Sequence, residues 1–130
     1  MSGESSSSVR VRYAETDQMG VAWHGNYLAW FEVARTDWLR ARGVSYRDLE
    51  REGLRLPVIE AQARYVRPAL YDDVLDVRAR LESLGRVRVR FAYRVERSGE
   101  LLATGATEHA AVDAQGRPRP LPEELRGRLA

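Results

Sequence analysis

The 130-residue chain has no cysteine and no lysine. Without cysteine, disulfide frameworks, zinc–thiolate sites, cysteine-ligated iron–sulfur clusters and cysteine nucleophiles are excluded. Without lysine, all 21 basic residues are arginines, a bias better explained by genomic base composition than by function. There are only two histidines, His24 and His109, far apart in the chain, which argues against a histidine-built metal site. No run of 18 apolar residues occurs, so no transmembrane helix is expected. Nor does a charged start lead into an apolar stretch, so no secretory signal is expected and the reading is a cytoplasmic protein. The pI is near 9.3 but the net charge is only +2. Acids are interspersed among the arginines and no recognition motif is present, so no nucleic-acid partner is expected.

What is present is ordinary globular composition: 44% hydrophobic and 31% charged residues, in a length that fits one domain. Met1 to Ser8 carries five serines and no residue to bury, and reads as a disordered tail ahead of a domain spanning residues 9–130. Val9 to Tyr13 alternates apolar and charged residues, as a short strand does. Tyr27, Trp30, Phe31, Ala34, Trp38 and Ala41 fall on one helical face, with Asn26 as the expected N-cap and Gly43 as the stop. A short helical piece is expected from Tyr46 to Glu52. Strands follow at Pro57–Val66, Val74–Leu84, Val87–Glu96 and Leu101–Val112, with hairpin turns at Leu84-Gly85-Arg86 and Ser98-Gly99. Gly105 inside the last strand marks a bulge or a close approach. A final short helix lies within Pro120–Leu129. One apolar helix face against one apolar sheet face predicts a two-layer α+β domain. One helix covers only part of a five-stranded sheet, so self-association is expected.

Tyr13 to Tyr27 concentrates the chemistry. Between a strand end and a helix start it holds Glu15, Asp17, His24, two tyrosines and two glycines. A helix N-terminus offers unpaired N–H groups that hold a carbonyl oxygen as it becomes negative. A nearby carboxylate can attack that carbonyl or activate water, and a histidine can orient groups or move a proton.

Tyr13, Asp17, Gly20, His24 and Asn26-Tyr27 together resemble the signature of the 4-hydroxybenzoyl-CoA thioesterase family of hotdog-fold acyl-CoA thioesterases. The resemblance continues through Phe31-Glu32-Val33-Ala34-Arg35 and Leu39, Tyr65-Val66-Arg67-Pro68, Asp72-Asp73-Val74-Leu75 and Pro122-Glu123-Glu124-Leu125. It implies a long central helix wrapped by a curved antiparallel sheet, in homodimers or homotetramers with active sites at the subunit interface. It implies an acyl-CoA substrate hydrolysed to free acid and coenzyme A, with no metal and no dissociable cofactor. It places the catalytic carboxylate on Asp17, as nucleophile or general base, with Tyr13 and His24 in support.

The remaining residues divide between site and scaffold. Asn26 and Tyr27 open the helix and are expected to contribute to substrate binding. Arg86, Arg88 and Arg90 share one strand face, which is either a solvated ion-pair surface or a contact for the coenzyme A phosphates, for which Arg86 and Arg88 are the candidates. Glu15 reads as a loop or solvent contact, and Glu32 as the partner of Arg35 in a helix-surface ion pair. Trp23, Trp30 and Trp38 read as core or interface residues, and His109 as a satisfied structural histidine. Two alternatives to hydrolysis stand beside it: a hotdog dehydratase or hydratase using His24 with Asp17, and a non-catalytic acyl-thioester binding module.

Overall fold

The computed structural model describes residues 3–130. Strand β1 (Ser5–Arg10) leads through a 3-10 turn (Tyr13–Glu15) and an irregular loop to helix α1 (Asn26–Arg40). Helix α2 (Tyr46–Arg51) follows, then β2 (Val58–Tyr65), β3 (Val74–Leu84), β4 (Arg88–Arg97), β5 (Glu100–Ala110) and helix α3 (Glu123–Leu129). The strands form one antiparallel sheet in the order β1-β3-β4-β5-β2. This is the expected α+β arrangement, with the long helix laid across a five-stranded sheet.

Alternation along the strands sets the two faces. Leu75, Val77 and Ala79 of β3, Val89, Phe91, Tyr93 and Val95 of β4, and Leu102 of β5 are buried with the α1 stripe of Tyr27, Trp30, Phe31, Ala34 and Trp38. The opposite face carries charges that neutralise one another. Arg90 contacts Glu82 at 2.7 Å and both Glu60 and Glu108 at 3.2 Å, while Arg78 contacts Glu96 at 2.9 Å. These partly exposed pairs set cross-strand register more than stability.

The serine run departs from expectation. Ser5 to Ser8 are ordered as the first part of β1, and the strand ends at Arg10 instead of continuing to Tyr13. Each serine sits opposite a residue of β3, from Ser5 with Ala79 to Ser8 with Asp76. Backbone pairing needs no apolar side chain, which is why the hydrophobic pattern missed it. Two side-chain bonds pin the segment to α1: Ser7 Oγ donates to Asp37 Oδ2 at 2.6 Å, and Trp38 Nε1 donates to the Gly3 carbonyl at 2.8 Å. Met1 and Ser2, the rest of the expected tail, lie outside the described residues.

The helix also begins differently. Gly25 is the N-cap and Asn26 the first helical residue. Gly43 takes φ +74° in the turn that closes the helix, as expected of a glycine stop. The β4–β5 hairpin turns on Ser98 and Gly99, both at positive φ. Gly105 is a close-approach point, not a bulge: a Cβ built on it would overlap the Phe31 ring.

Candidate active site

The loop between the 3-10 turn and α1 is a small folded unit. Asp17 N–H donates to the Val21 carbonyl at 2.9 Å and Gly20 N–H to the Asp17 carbonyl at 3.0 Å, so the chain reverses at Gly20, whose φ is +78°. Asp17 Oδ1 accepts the Met19 N–H at 2.9 Å, an Asx turn that fixes the carboxylate's direction. Glu15 ties this loop to the helix. Its carboxylate accepts Arg12 N–H at 2.8 Å and Trp30 Nε1–H at 3.3 Å, and its carbonyl accepts Asn26 Nδ2–H at 2.6 Å and Trp23 N–H at 2.8 Å. Burial raises the Glu15 carboxyl, but hydrogen bonds from Arg12 and Trp30 outweigh it and hold the pKa below the ordinary value. Glu15 is therefore a structural hub, with a side chain only 11% exposed: of the loop and solvent contacts expected of it, the loop contact is the one made. Glu15 supplies one half of a capping box by accepting the Arg12 N–H, but Arg12 has no side-chain acceptor for the other half, so the spacing carried no recognisable signal in the sequence.

The opposite wall comes from the loop after β2. Asp73 Oδ2 accepts the Leu70 N–H at 2.8 Å and pairs with Arg97 at 2.7 Å, which fixes the bend after Pro68. Ala69 joins the two loops: its carbonyl accepts Ala22 N–H at 2.8 Å, and its N–H donates to the Tyr27 hydroxyl at 3.2 Å. Burial raises the Tyr27 phenol above its ordinary pKa. Tyr65 Oη donates to the His24 carbonyl at 2.9 Å, and the His24 ring stands edge-on to Tyr65 at 6.2 Å.

Between these walls lies a pocket of about 280 Å³ lined by Asp17, Met19, Val21, Ala22, His24, Tyr27, Tyr65, Val66, Arg67 and Pro68. The carboxylate, the imidazole and the helix start therefore converge on one apolar hollow. The first amides of α1 are already used, since Asn26 N–H donates to the Trp23 carbonyl and Tyr27 N–H to the His24 carbonyl. Among the described residues the His24 and Gly25 amides have no protein acceptor. Gly25 has no room for a side chain, because a Cβ there would meet the Trp23 ring.

A match to the thioesterase-like superfamily model extends over residues 11–129, nearly the whole chain. The chain belongs to the thioesterase-like superfamily. An acyl-CoA thioester hydrolase of Escherichia coli is 33% identical over 119 residues, covering 90% of this chain and 89% of that protein. A hypothetical protein of Thermus thermophilus is 41% identical, with a TM-score of 0.92 over 98% of this chain and 95% of that one. A DHNA-CoA thioesterase from Staphylococcus aureus is 38% identical, with a TM-score of 0.88 over 91% of this chain and 80% of that one.

Not every expected site residue of this superfamily member reaches the pocket. Asp17, His24 and Tyr27 line it. Asn26 acts on the scaffold through Glu15. Tyr13 is 77% exposed and packs edge-on against Tyr71 at 5.5 Å, outside the lining. Arg88 is engaged by Glu108 at 2.9 Å on the outer sheet face. Arg86 lies in the β3–β4 turn, where its carbonyl accepts Leu121 N–H. That turn is at the Ala110 end of β5, whereas Val66 and Arg67 meet Leu102 at the other end. Arg67, which the sequence reading did not single out as a site residue, is the cation that lines the pocket, with Glu100 at 3.2 Å.

Proposed function

We propose that this chain hydrolyses acyl-CoA thioesters to the free acid and coenzyme A, with chemistry at the Asp17 pocket. The carrying observation is the convergence of the Asp17 carboxylate and the His24 imidazole on one apolar pocket at the start of α1. The thioester carbonyl oxygen points at the His24 and Gly25 N–H groups, which stabilise the charge that develops on attack. Asp17 supplies the electron pair, either directly to the carbonyl carbon or by taking a proton from the attacking water. The C–S bond then breaks with its electron pair leaving on the thiolate, which needs no strong acid; in the direct route this leaves an Asp17–acyl anhydride, which a water then cleaves to release the acid and restore the carboxylate. His24 orients the thioester, and Arg67 at the rim draws the anionic coenzyme towards the pocket. The superfamily membership and the named activity of the Escherichia coli relative support this reading.

The active form is a homodimer or homotetramer. Supporting this, seven of the eight residues of edge strand β2 are exposed, and Val58, Ile59 and Tyr65 continue into exposed Val66. Sedimentation of the purified protein as a monomer at micromolar concentration would refute the assembly.

Thiol release from a panel of acyl-CoAs, followed with a thiol-reactive dye, tests the reaction, and the cysteine-free chain adds no background. Asp17→Asn should keep the fold and lose at least about a hundredfold in turnover, the scale expected for a positioned acid–base group. Undiminished release by that variant removes Asp17 from the mechanism. Ligand binding with no release from any substrate favours a binding module instead.

A further inference from the structure

Tyr65 is the last residue of β2, and the sheet holds its main chain firmly. It sits opposite Ala103 of β5, and the next two residues, Val66 and Arg67, donate their N–H groups to the Leu102 carbonyl at 2.8 and 3.0 Å. The Tyr65 ring stands edge-on to the buried ring of Tyr27 on α1, at 4.9 Å and 80°. The residue is nonetheless 46% exposed, so filling the core does not account for a tyrosine here. Its hydroxyl reaches instead to the loop before α1, 41 residues earlier in the chain.

Both ends of this reach fall on His24. Tyr65 Oη donates to the His24 carbonyl at 2.9 Å, closer than the Tyr27 N–H that shares the acceptor at 3.4 Å. The Tyr65 ring stands edge-on to the His24 imidazole at 6.2 Å and 75°. Burial raises the Tyr65 phenol above its ordinary pKa, so the hydroxyl remains a donor at neutral pH.

The His24 ring has few other means of holding its direction. A histidine that handles substrate is ordinarily aimed by a hydrogen bond to its second ring nitrogen. His109 has that kind of support, with Thr107 on one nitrogen and the Leu56 carbonyl on the other. Among the described residues, His24 enters side-chain hydrogen bonding only through its carbonyl. Its imidazole is placed by the main chain and by two aromatic neighbours, Tyr65 and Trp23, the latter at 5.2 Å and 51°. The side chain springs from the Cα beside the anchored carbonyl, so a displaced carbonyl displaces the ring.

We propose that Tyr65 is a positioning residue for the hydrolysis: its phenol ties the His24 carbonyl to β2 and so aims the imidazole into the Asp17 pocket. The effect on turnover rests on the function proposed above, whereas the anchoring of His24 does not. A misplacement of this kind acts on the alignment of the bound thioester, and so on kcat more than on KM.

Tyr65→Phe keeps the ring contacts with Tyr27 and His24 and deletes only the hydroxyl. On the acyl-CoA panel its kcat should fall about fivefold, the equivalent of one neutral hydrogen bond, with KM within about twofold of native. Tyr65→Leu, which removes the ring as well, should fall further. On a His24→Ala background Tyr65→Phe should cost nothing more, because both changes act through one imidazole. A tyrosine that merely supports the fold would cost both backgrounds alike. Melting curves establish that each variant is folded. A second readout needs no turnover: with only two histidines in the chain, Tyr65→Phe should move the His24 ring signals in the NMR spectrum and leave those of His109 in place. Unmoved His24 signals, unchanged kcat in both Tyr65 variants, or equal losses on the native and His24→Ala backgrounds would each overturn the proposal. If no acyl-CoA releases thiol but the His24 signals still move, the anchoring stands and the hydrolysis falls.

Discussion

Gly105 of β5 lies directly under the ring of Phe31, in the middle of α1, and a Cβ on it would also come within 2.7 Å of the Gln62 carbonyl oxygen on β2. The Phe31 ring is stacked on Tyr93 at 4.4 Å and 4°, so it cannot swing aside without breaking that contact. Gly105→Ala should therefore cost about 1–3 kcal/mol, the range for overpacking a filled core. Urea unfolding of the variant measures this, and Phe31→Leu on the same background should recover part of the loss. A change in midpoint too small to resolve would show that the helix rides free of the sheet here.

His109 makes stability depend on pH. Burial pushes its pKa down to about 4, with the nearby Arg35 cation adding to the shift and the Leu56 carbonyl opposing it. The folded protein holds the ring neutral while the unfolded chain protonates it near 6.5, so the unfolded state binds the extra proton in between. Stability is therefore unaffected by this group above about pH 6.5, falls as pH drops towards 4, and levels off below. The full loss is about 3 kcal/mol. Unfolding free energies for native protein and His109→Gln across this window should differ in slope by close to one proton.

Glu15 should prove a scaffold residue. Glu15→Gln replaces one acceptor oxygen with a donor in front of Arg12 and Trp30, which already donate there. The expected cost is about 1–3 kcal/mol, typical of a broken charge-assisted hydrogen bond. Its lowered pKa acts in the same direction as that of His109 but at lower pH: the stabilisation is present above the ordinary carboxylate pKa and is lost as pH falls through the folded value. Melting temperature measured against pH separates the two groups, since Glu15→Gln removes only the more acidic change.

Tyr13→Phe should leave turnover within about twofold of native, since the hydroxyl lies outside the pocket and one hydrogen bond is worth only about 1 kcal/mol. Steady-state kinetics on the acyl-CoA panel checks this. A large fall in kcat at unchanged KM would place the phenol in the chemistry.

These outcomes follow the division between what local pattern encodes and what tertiary contact decides. β3 spans Val74–Leu84, the bounds expected, because strict alternation and two flanking turns leave no other register. The helix face was equally readable, and Asp17 and His24 stood out as polar residues crowded at a helix start. Ser5 to Ser8 were not readable, since their strand is specified by the β3 backbone opposite them. How far Tyr13 and Glu15 are buried was unreadable for a similar reason. Two residues apart in a 3-10 turn, one points to solvent and the other under Trp30, and only the turn's geometry decides which. Arg35 looked like half of an i,i+3 pair with Glu32, but among the described residues it forms no ion pair, and its charge acts on the phenol of Tyr93, on a strand far along the sequence.

The serine strand leaves the sheet unusually open to replacement. β1 is held to the rest of the molecule by main-chain pairing with β3 and a few polar contacts, and its side chains add little to the core. Removing residues 1–10 would uncover a continuous row of β3 donors and acceptors beside α1, a ready receptor for an extended peptide. A synthetic peptide supplied separately could then rebuild the fold by complementation, turning the least informative stretch of the sequence into a handle for controlling assembly from outside.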